Sequence, residues 1–544
     1  MYVPCIHIIW VHSKAWAMCI SKSGRIPLTY KLLALLLLVQ LAGCASHRPG
    51  DIALVEANIA DLQAAILSGR TRCETLVGAY IRRIEAYDQP RGINAITVVN
   101  PNALAAARRI DAAIARGEPQ PELFCAPILV KDNFDTYDMA TTGGSIALID
   151  SQPPDDAYMV RRLREAGAII LAKTNMGEWA FSPRETLSSS YGRTANAYDP
   201  GFVPAGSSGG TASAVAASFG VAGMGTDTGN SIRGPSSHLA LFGMRSTLGL
   251  TSRDGVIPLV FDRDIAGPMT RTVTDGVKLF NVIAGFDPAD PLTLDDRREV
   301  DYRIFLNAQG LRGKRLGVFR RLADPAQSDP EILLMFEQAL ADLEAAGATL
   351  IDPFSIPGFD EISASIPYCG RFRHDMRRYL QSLNNPPLLD VNEVLASGQL
   401  TDASRIEFEF YGGFPLETPP EEWDVPCPTW PNHPQRNQLL ASTAAAMDAA
   451  GVDALVYPTW TYPPAAIDRA SADYRGDNSQ LLVPDAGLPA VTVPMGFWQG
   501  RLPIGLQISG RPYAEGILIE IAYAYEQRTQ HRRPPEGFEE LARP

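Results

Sequence analysis

Two short apolar runs set the architecture of this chain. Ala126-Pro127-Ile128-Leu129-Val130 stops at Lys131, and Gly167-Ala168-Ile169-Ile170-Leu171-Ala172 stops at Lys173. Neither run alternates polar with apolar residues, so each is expected to be a strand covered on both faces. Residues 157–166, between them, read as a helix. Strand, helix and strand in that order predict an α/β fold, a sheet sheathed by helices on both faces. The pattern returns near the end, with strands expected at 454–457, 490–493 and 504–509 and a closing helix over 514–528.

Residues 51–118 read as helical, chiefly 71–86 and the alanine-rich 102–116. Residues 211–222 carry small side chains and predict a helix that can pack closely on a sheet. Residues 285–440 are richer in proline and charge and read as an inserted lobe with helices near 330–346 and 372–383. With 544 residues, 46% of them hydrophobic, the chain can bury a large core. Its formal charge of −13 leaves no basic footprint, so no nucleic-acid partner is expected.

The first 43 residues are of another character. They hold Lys14, Lys22, Arg25 and Lys31 and no acid, then an apolar run from Leu32 to Val39. That run is too short for a membrane-spanning helix, which needs roughly 20 apolar residues. A basic flank, a short apolar stretch and small residues predict a secretory leader over 1–43. Leu41-Ala42-Gly43-Cys44 resembles the bacterial lipobox, which implies lipid attachment at Cys44, a tether over 44–50, and an exported protein anchored in the cell envelope.

Four cysteines lie beyond Cys44: Cys73, Cys125, Cys369 and Cys427. They are scattered, with no C-x-x-C and no histidine spacing suited to zinc, and they read as small buried hydrophobes. No metal and no cofactor are expected.

The chemistry points to a glycine- and serine-rich stretch. Residues 204–211 read Pro-Ala-Gly-Ser-Ser-Gly-Gly-Thr, and 225–235 read Gly-Thr-Asp-Thr-Gly-Asn-Ser-Ile-Arg-Gly-Pro. Such loops let backbone come close to a ligand and can aim N–H groups at an oxyanion. They can equally cradle a phosphate or simply turn. The body holds only four lysines, Lys131, Lys173, Lys278 and Lys314, amid many arginines. A buried lysine can be driven toward its neutral form, whereas arginine cannot. Lys131 and Lys173 both end apolar strands, and this argument does not separate them. A G-x-S-x-G match centred on Ser208 lacks the strand that a nucleophile elbow needs. His238 has no acid partner at a suggestive position and reads as structural.

Taken with Ala126–Asn133, the 204–235 stretch resembles the amidase signature family. Further segments carry the likeness across most of the body: 173–179, 267–269, 487–490 and 505–507. The resemblance implies one large domain over 51–540 with a central mixed β-sheet covered by helices on both faces. It also implies a Ser–cis-Ser–Lys triad of Ser231, Ser207 and Lys131. Ser231 would attack an amide carbonyl, Ser207 would relay the proton, and neutral Lys131 would act as base. Backbone N–H groups of Thr228, Gly229, Asn230 and Ser231 would form the oxyanion hole. The expected activity is hydrolysis of a small-molecule carboxamide through an acyl-enzyme. The alternatives are a protein like the glutaminase part of tRNA-dependent amidotransferases and a non-catalytic ligand-binding lipoprotein.

In one place the chain departs from the family pattern, which has Gly-Gly-Ser where this sequence has Gly229-Asn230-Ser231. Asp227 and Arg233 are expected to pair and brace this loop. The lobe offers Tyr368, Phe372, Tyr379, Phe410 and Tyr411, with Trp460 just beyond it, either as the wall of an apolar pocket or as core. The first option leans toward an aryl or apolar amide, with anilides and carbamates open.

Overall fold

Eleven strands form one twisted sheet in the computed structural model, which describes residues 52–294 and 297–541. In spatial order they are Ile96–Val99, Ile169–Thr174, Pro127–Lys131, Ala222–Asp227, Ile265–Thr270, Phe242–Arg245, Ala490–Trp498, Leu502–Ser509, Ala454–Pro458, Arg315–Val318 and Thr349–Ile351. The sheet is mixed. Pro127–Lys131 runs parallel to both its neighbours, the middle strands pair antiparallel, and the far edge is parallel again. The chain divides into Met1–Ile52 and Ala53–Pro544, and the sheet with its helices makes the second unit a single large α/β domain. The leader, the lipobox cysteine and the tether lie outside the described residues.

The unbroken apolar strands are buried as their composition requires. Pro127–Lys131, Ile169–Thr174, Ala222–Asp227 and Ile265–Thr270 are buried at every residue. Helices Val273–Ile283, Pro330–Ala345 and Glu515–Thr529 flank the sheet.

Three local readings differ from the sequence expectation. Ile96–Val99, inside the stretch expected to be helical, is an edge strand antiparallel to Ile169–Thr174. Its Ile-Thr-Val-Val run is β-branched throughout, which favours the pleated surface over a helix. The small-residue helix spans Gly209–Ala216 and stops short of 222, because the chain turns at Ser218 with φ 57° and enters a strand at Ala222. The charge-rich 285–440 stretch contributes Arg315–Val318 and Thr349–Ile351 to the sheet edge.

The four body cysteines are not free hydrophobes. Cys73 pairs with Cys125 and Cys369 with Cys427, with Cα atoms 5.7 and 5.8 Å apart. Residue spacing alone gave no pairing, since partners 52 and 58 positions apart meet only through the tertiary fold. Closing a loop of that length restricts the unfolded chain. The Cys73→Ser, Cys125→Ser double variant is expected to lose about 2–4 kcal/mol, read from its denaturant midpoint without reductant.

Candidate active site

Strand register separates the two candidate lysines. Val130 lies opposite Lys173 and Lys131 opposite Thr174 on adjacent parallel strands. Alternation along a strand therefore sends Lys131 and Lys173 to opposite faces of the sheet. Lys173 Nζ donates to the Phe134 carbonyl at 2.6 Å and to Thr141 Oγ1 at 2.9 Å, with Asp132 at 3.5 Å. Burial lowers its pKa as well, against the opposing pull of Asp132 and Asp135, but its amine is spent on these three groups. Lys131 Nζ instead meets two hydroxyls, Ser207 Oγ at 2.8 Å and Thr226 Oγ1 at 2.7 Å. Burial drives its pKa down to about 7, against the opposing pull of Asp227 and Asp264. Thr226 sits at the end of the neighbouring parallel strand, so the site lies at the carboxyl ends of these strands.

Ser207 follows a cis Gly206–Ser207 peptide. Gly206 presses on the backbone carbonyls of Ser182 and Glu185, where no side chain fits. Its N–H donates to Pro183 O at 3.0 Å, and Ser207 O accepts from Gly177 N–H at 3.0 Å. Both sides of that peptide are thus tied to the segment 177–185. Ser208, centre of the G-x-S-x-G match, is fully buried and donates to Thr226 O at 3.2 Å.

The loop after the Ala222–Asp227 strand is held from below by charge. Asp227 is completely buried and lies 3.0 Å from both Arg233 and Arg245. Burial alone would raise its pKa, but the two guanidiniums prevail and hold it at about 2. Asp227 Oδ2 also accepts the Ile232 and Arg233 N–H groups at 3.2 and 3.4 Å. Arg245 Nη1 donates to Asp227 O, and Arg233 Nη2 to Gly229 O at 2.6 Å. In a planar trans peptide the N–H opposes the C=O, so pinning these carbonyls aims the Thr228 and Asn230 N–H groups away from the arginines. Among the described residues, none of the N–H groups of Thr228, Gly229, Asn230 and Ser231 donates to a protein acceptor. Four adjacent, unspent donors in a buried loop form a cradle suited to a negative oxygen.

Ser231, 5% exposed, stands at the end of this loop. Its hydroxyl donates to Asn230 Oδ1 at 3.3 Å, and among the described residues no hydrogen bond joins it to Ser207. The structure therefore joins Lys131 to Ser207 directly and places Ser231 on the neighbouring loop with its hydroxyl turned to Asn230. Several contributors had no clear sequence signal. Arg245 braces Asp227, the buried Asp264 accepts the Thr228 hydroxyl, and Asp477 reaches Asn230 from 247 positions away. Thr226 lay within the 225–235 stretch and was legible only as part of it, whereas the expected Asp227–Arg233 pair is present.

His238 is structural. It is buried against the Trp460 ring, centroids 4.5 Å apart, and burial alone lowers its pKa to about 3. The lobe aromatics divide. Phe372, Tyr379 and Tyr411 belong to a core cluster with Trp179 and Phe408, whereas Tyr368 and Phe410 are 57% and 46% exposed.

Comparison with known proteins identifies the family. The family model described as Amidase matches residues 75–519. A glutamyl-tRNA(Gln) amidotransferase chain of Moorella thermoacetica is 34% identical over 483 residues, covering 85% of this chain and 95% of that protein. The solved native peptide amidase from Stenotrophomonas maltophilia superposes with a TM-score of 0.77 at 36% identity, covering 88% of this chain and 98% of the other. A bacterial aryl acylamidase of the amidase signature family shares the fold, with a TM-score of 0.73 at 24% identity over 89% and 99% of the two chains. With its body spanned by the family model and by relatives at this identity, the chain belongs to the amidase signature family and is an amidase, a hydrolase of carbon–nitrogen bonds.

Proposed function

We propose that this amidase hydrolyses the carboxamide of a polar, peptide-like acyl group, with Ser231 as nucleophile, Ser207 as proton relay and Lys131 as base. The observation that carries the reading is the desolvated Lys131 amine, 2.8 Å from Ser207 Oγ and with a pKa near 7. A serine hydroxyl is a weak nucleophile until a base removes its proton. Ser231 Oγ bonds to the carbonyl carbon, its proton passes to Ser207, and the Ser207 proton passes to Lys131. The carbonyl electrons move onto an oxygen that faces the N–H groups of residues 228–231. Collapse breaks the C–N bond as the proton returns through Ser207 to the leaving amine. Water then attacks the acyl ester by the same relay, releasing the acid and restoring Ser231.

Two observations support a polar acyl group over an aryl one. Phe372, Tyr379 and Tyr411, half of the aromatics that could have lined an apolar pocket, are spent in the core. A cavity of about 480 Å³ that includes Asp477 sets Arg321, Gln327, Arg475 and Asn478 beside Leu322 and Tyr462, a mixed lining able to bond a peptide backbone. Likeness to the peptide amidase is also higher, 36% against 24% for the aryl acylamidase. The test is a panel of C-terminally amidated peptides, anilides, aryl amides, carbamates and free glutamine. The amidated peptides are expected to give the highest kcat/KM, and a preference for anilides would overturn the substrate class.

The base assignment predicts a pH limb. Below its pKa of about 7 Lys131 is an ammonium and cannot accept a proton, so kcat/KM should fall about tenfold per pH unit under that value and level off above it. A flat profile down to pH 5 would exclude lysine as base.

The protein is proposed to act outside the cytoplasm, anchored by lipid on Cys44. The two disulfides support an oxidising compartment, where the ATP and tRNA of an amidotransferase are not at hand. Globomycin should block maturation and leave Cys44→Ala unaffected.

A further inference from the structure

Asn230 occupies the position where the family pattern carries glycine, and its side chain is fully committed. Its Nδ2 donates to Asp477 Oδ2 at 2.9 Å and to the Pro183 carbonyl at 3.2 Å. Both partners are acceptors, so both amide hydrogens are claimed and the orientation of the amide is fixed. Its oxygen must then face the other way, and there it accepts the Ser231 hydroxyl at 3.3 Å. Asp477 is itself oriented by Tyr474 OH at 3.0 Å and by the Ser479 hydroxyl. A side chain at position 234 would crowd the Asn230 amide, so Gly234 leaves it room.

We infer that Asn230 is a positioning residue that sets the rotamer of the Ser231 hydroxyl, and that Asp477 acts through it as an anchor on the segment that lines the cavity. This rests on the reading of Ser231 as nucleophile. The chain Asp477–Asn230–Ser231 connects a loop 247 positions distant to the reacting oxygen without touching the proton relay. Substrate that enters must draw the hydroxyl from Asn230 toward Ser207. Without Asp477 the amide can turn and present Nδ2 to Ser231, which occupies a lone pair that should attack.

A double-mutant cycle on the full chain tests this, read as the rate of fluorophosphonate labelling at Ser231 and as kcat and KM separately. Asp477→Leu is expected to slow labelling and kcat about tenfold with KM changed less than about threefold, and Asp477→Asn, which keeps an acceptor oxygen, to recover most of the loss. In an Asn230→Gly background Asp477→Leu should have no further effect, because its route to Ser231 is gone. An equal slowing by Asp477→Leu in both backgrounds overturns the inference. Should the leucine variant not fold, the exchange Asn230→Asp with Asp477→Asn keeps a donor between the two side chains. It must label faster than Asn230→Asp alone, and equal rates overturn the inference. Absence of labelling at Ser231 in the wild type would instead overturn the nucleophile assignment.

Discussion

Ser231→Ala is expected to lower kcat by about 10⁶-fold and to abolish fluorophosphonate labelling, since it removes the hydroxyl proposed as nucleophile next to the unspent N–H groups of residues 228–231. Loss of the relay should cost less. Lys131→Ala is expected to lower kcat by about 10²–10⁴-fold, the usual worth of a general base. Lys131→Arg separates a base from a structural cation. Arginine preserves positive charge and donors but does not deprotonate in proteins. If Lys131 served only to hold Ser207 and Thr226, the arginine variant would keep much of the activity. If it must accept a proton, Lys131→Arg should be as inactive as Lys131→Ala, and the limb near pH 7 should vanish from the residual activity of both. Retained turnover in Lys131→Arg would remove the base from the mechanism.

The sheet was legible because its strands are buried on both faces and so read as unbroken apolar runs. Pro127–Lys131 and Ile169–Thr174 lie within two residues of their expected bounds. The edge strand Ile96–Val99 escaped because four residues between helices leave too short a period to read. Choosing Lys131 over Lys173 needed the likeness to a family, since composition treats the two alike. Register makes the difference physical: one side chain enters a cradle of carbonyl, hydroxyl and carboxylate, and the other meets two hydroxyls. Arg245, Asp264 and Asp477 could not be read, because their value lies in contacts with residues far along the chain. The disulfides were hidden for the same reason.

The second large effect concerns the ion cluster beneath the loop. Arg233→Leu removes one of the two guanidiniums that face the buried Asp227 and releases the Gly229 carbonyl and Gln507. Breaking a buried pair from one side leaves a charge without its partner, at about 3–5 kcal/mol. Lys at this position should not restore it, because three N–H donors on one nitrogen cannot match the four acceptor atoms, Asp227 Oδ1 and Oδ2, Gly229 O and Gln507 Oε1, that the planar guanidinium reaches. The sign of the pH dependence follows from the depressed pKa of Asp227, about 2 when folded against an ordinary 3.8. Between those values the unfolded chain takes up a proton that the folded chain refuses, so the stability Asp227 gives the wild type is present above about pH 4 and lost as pH falls toward 2. The variant, with one cation fewer, should have a higher folded pKa and less to lose. The gap between wild type and Arg233→Leu in urea unfolding should therefore be widest near neutral pH and narrow on going to pH 3. A gap independent of pH would mean that packing, not the paired charge, is what the arginine supplies.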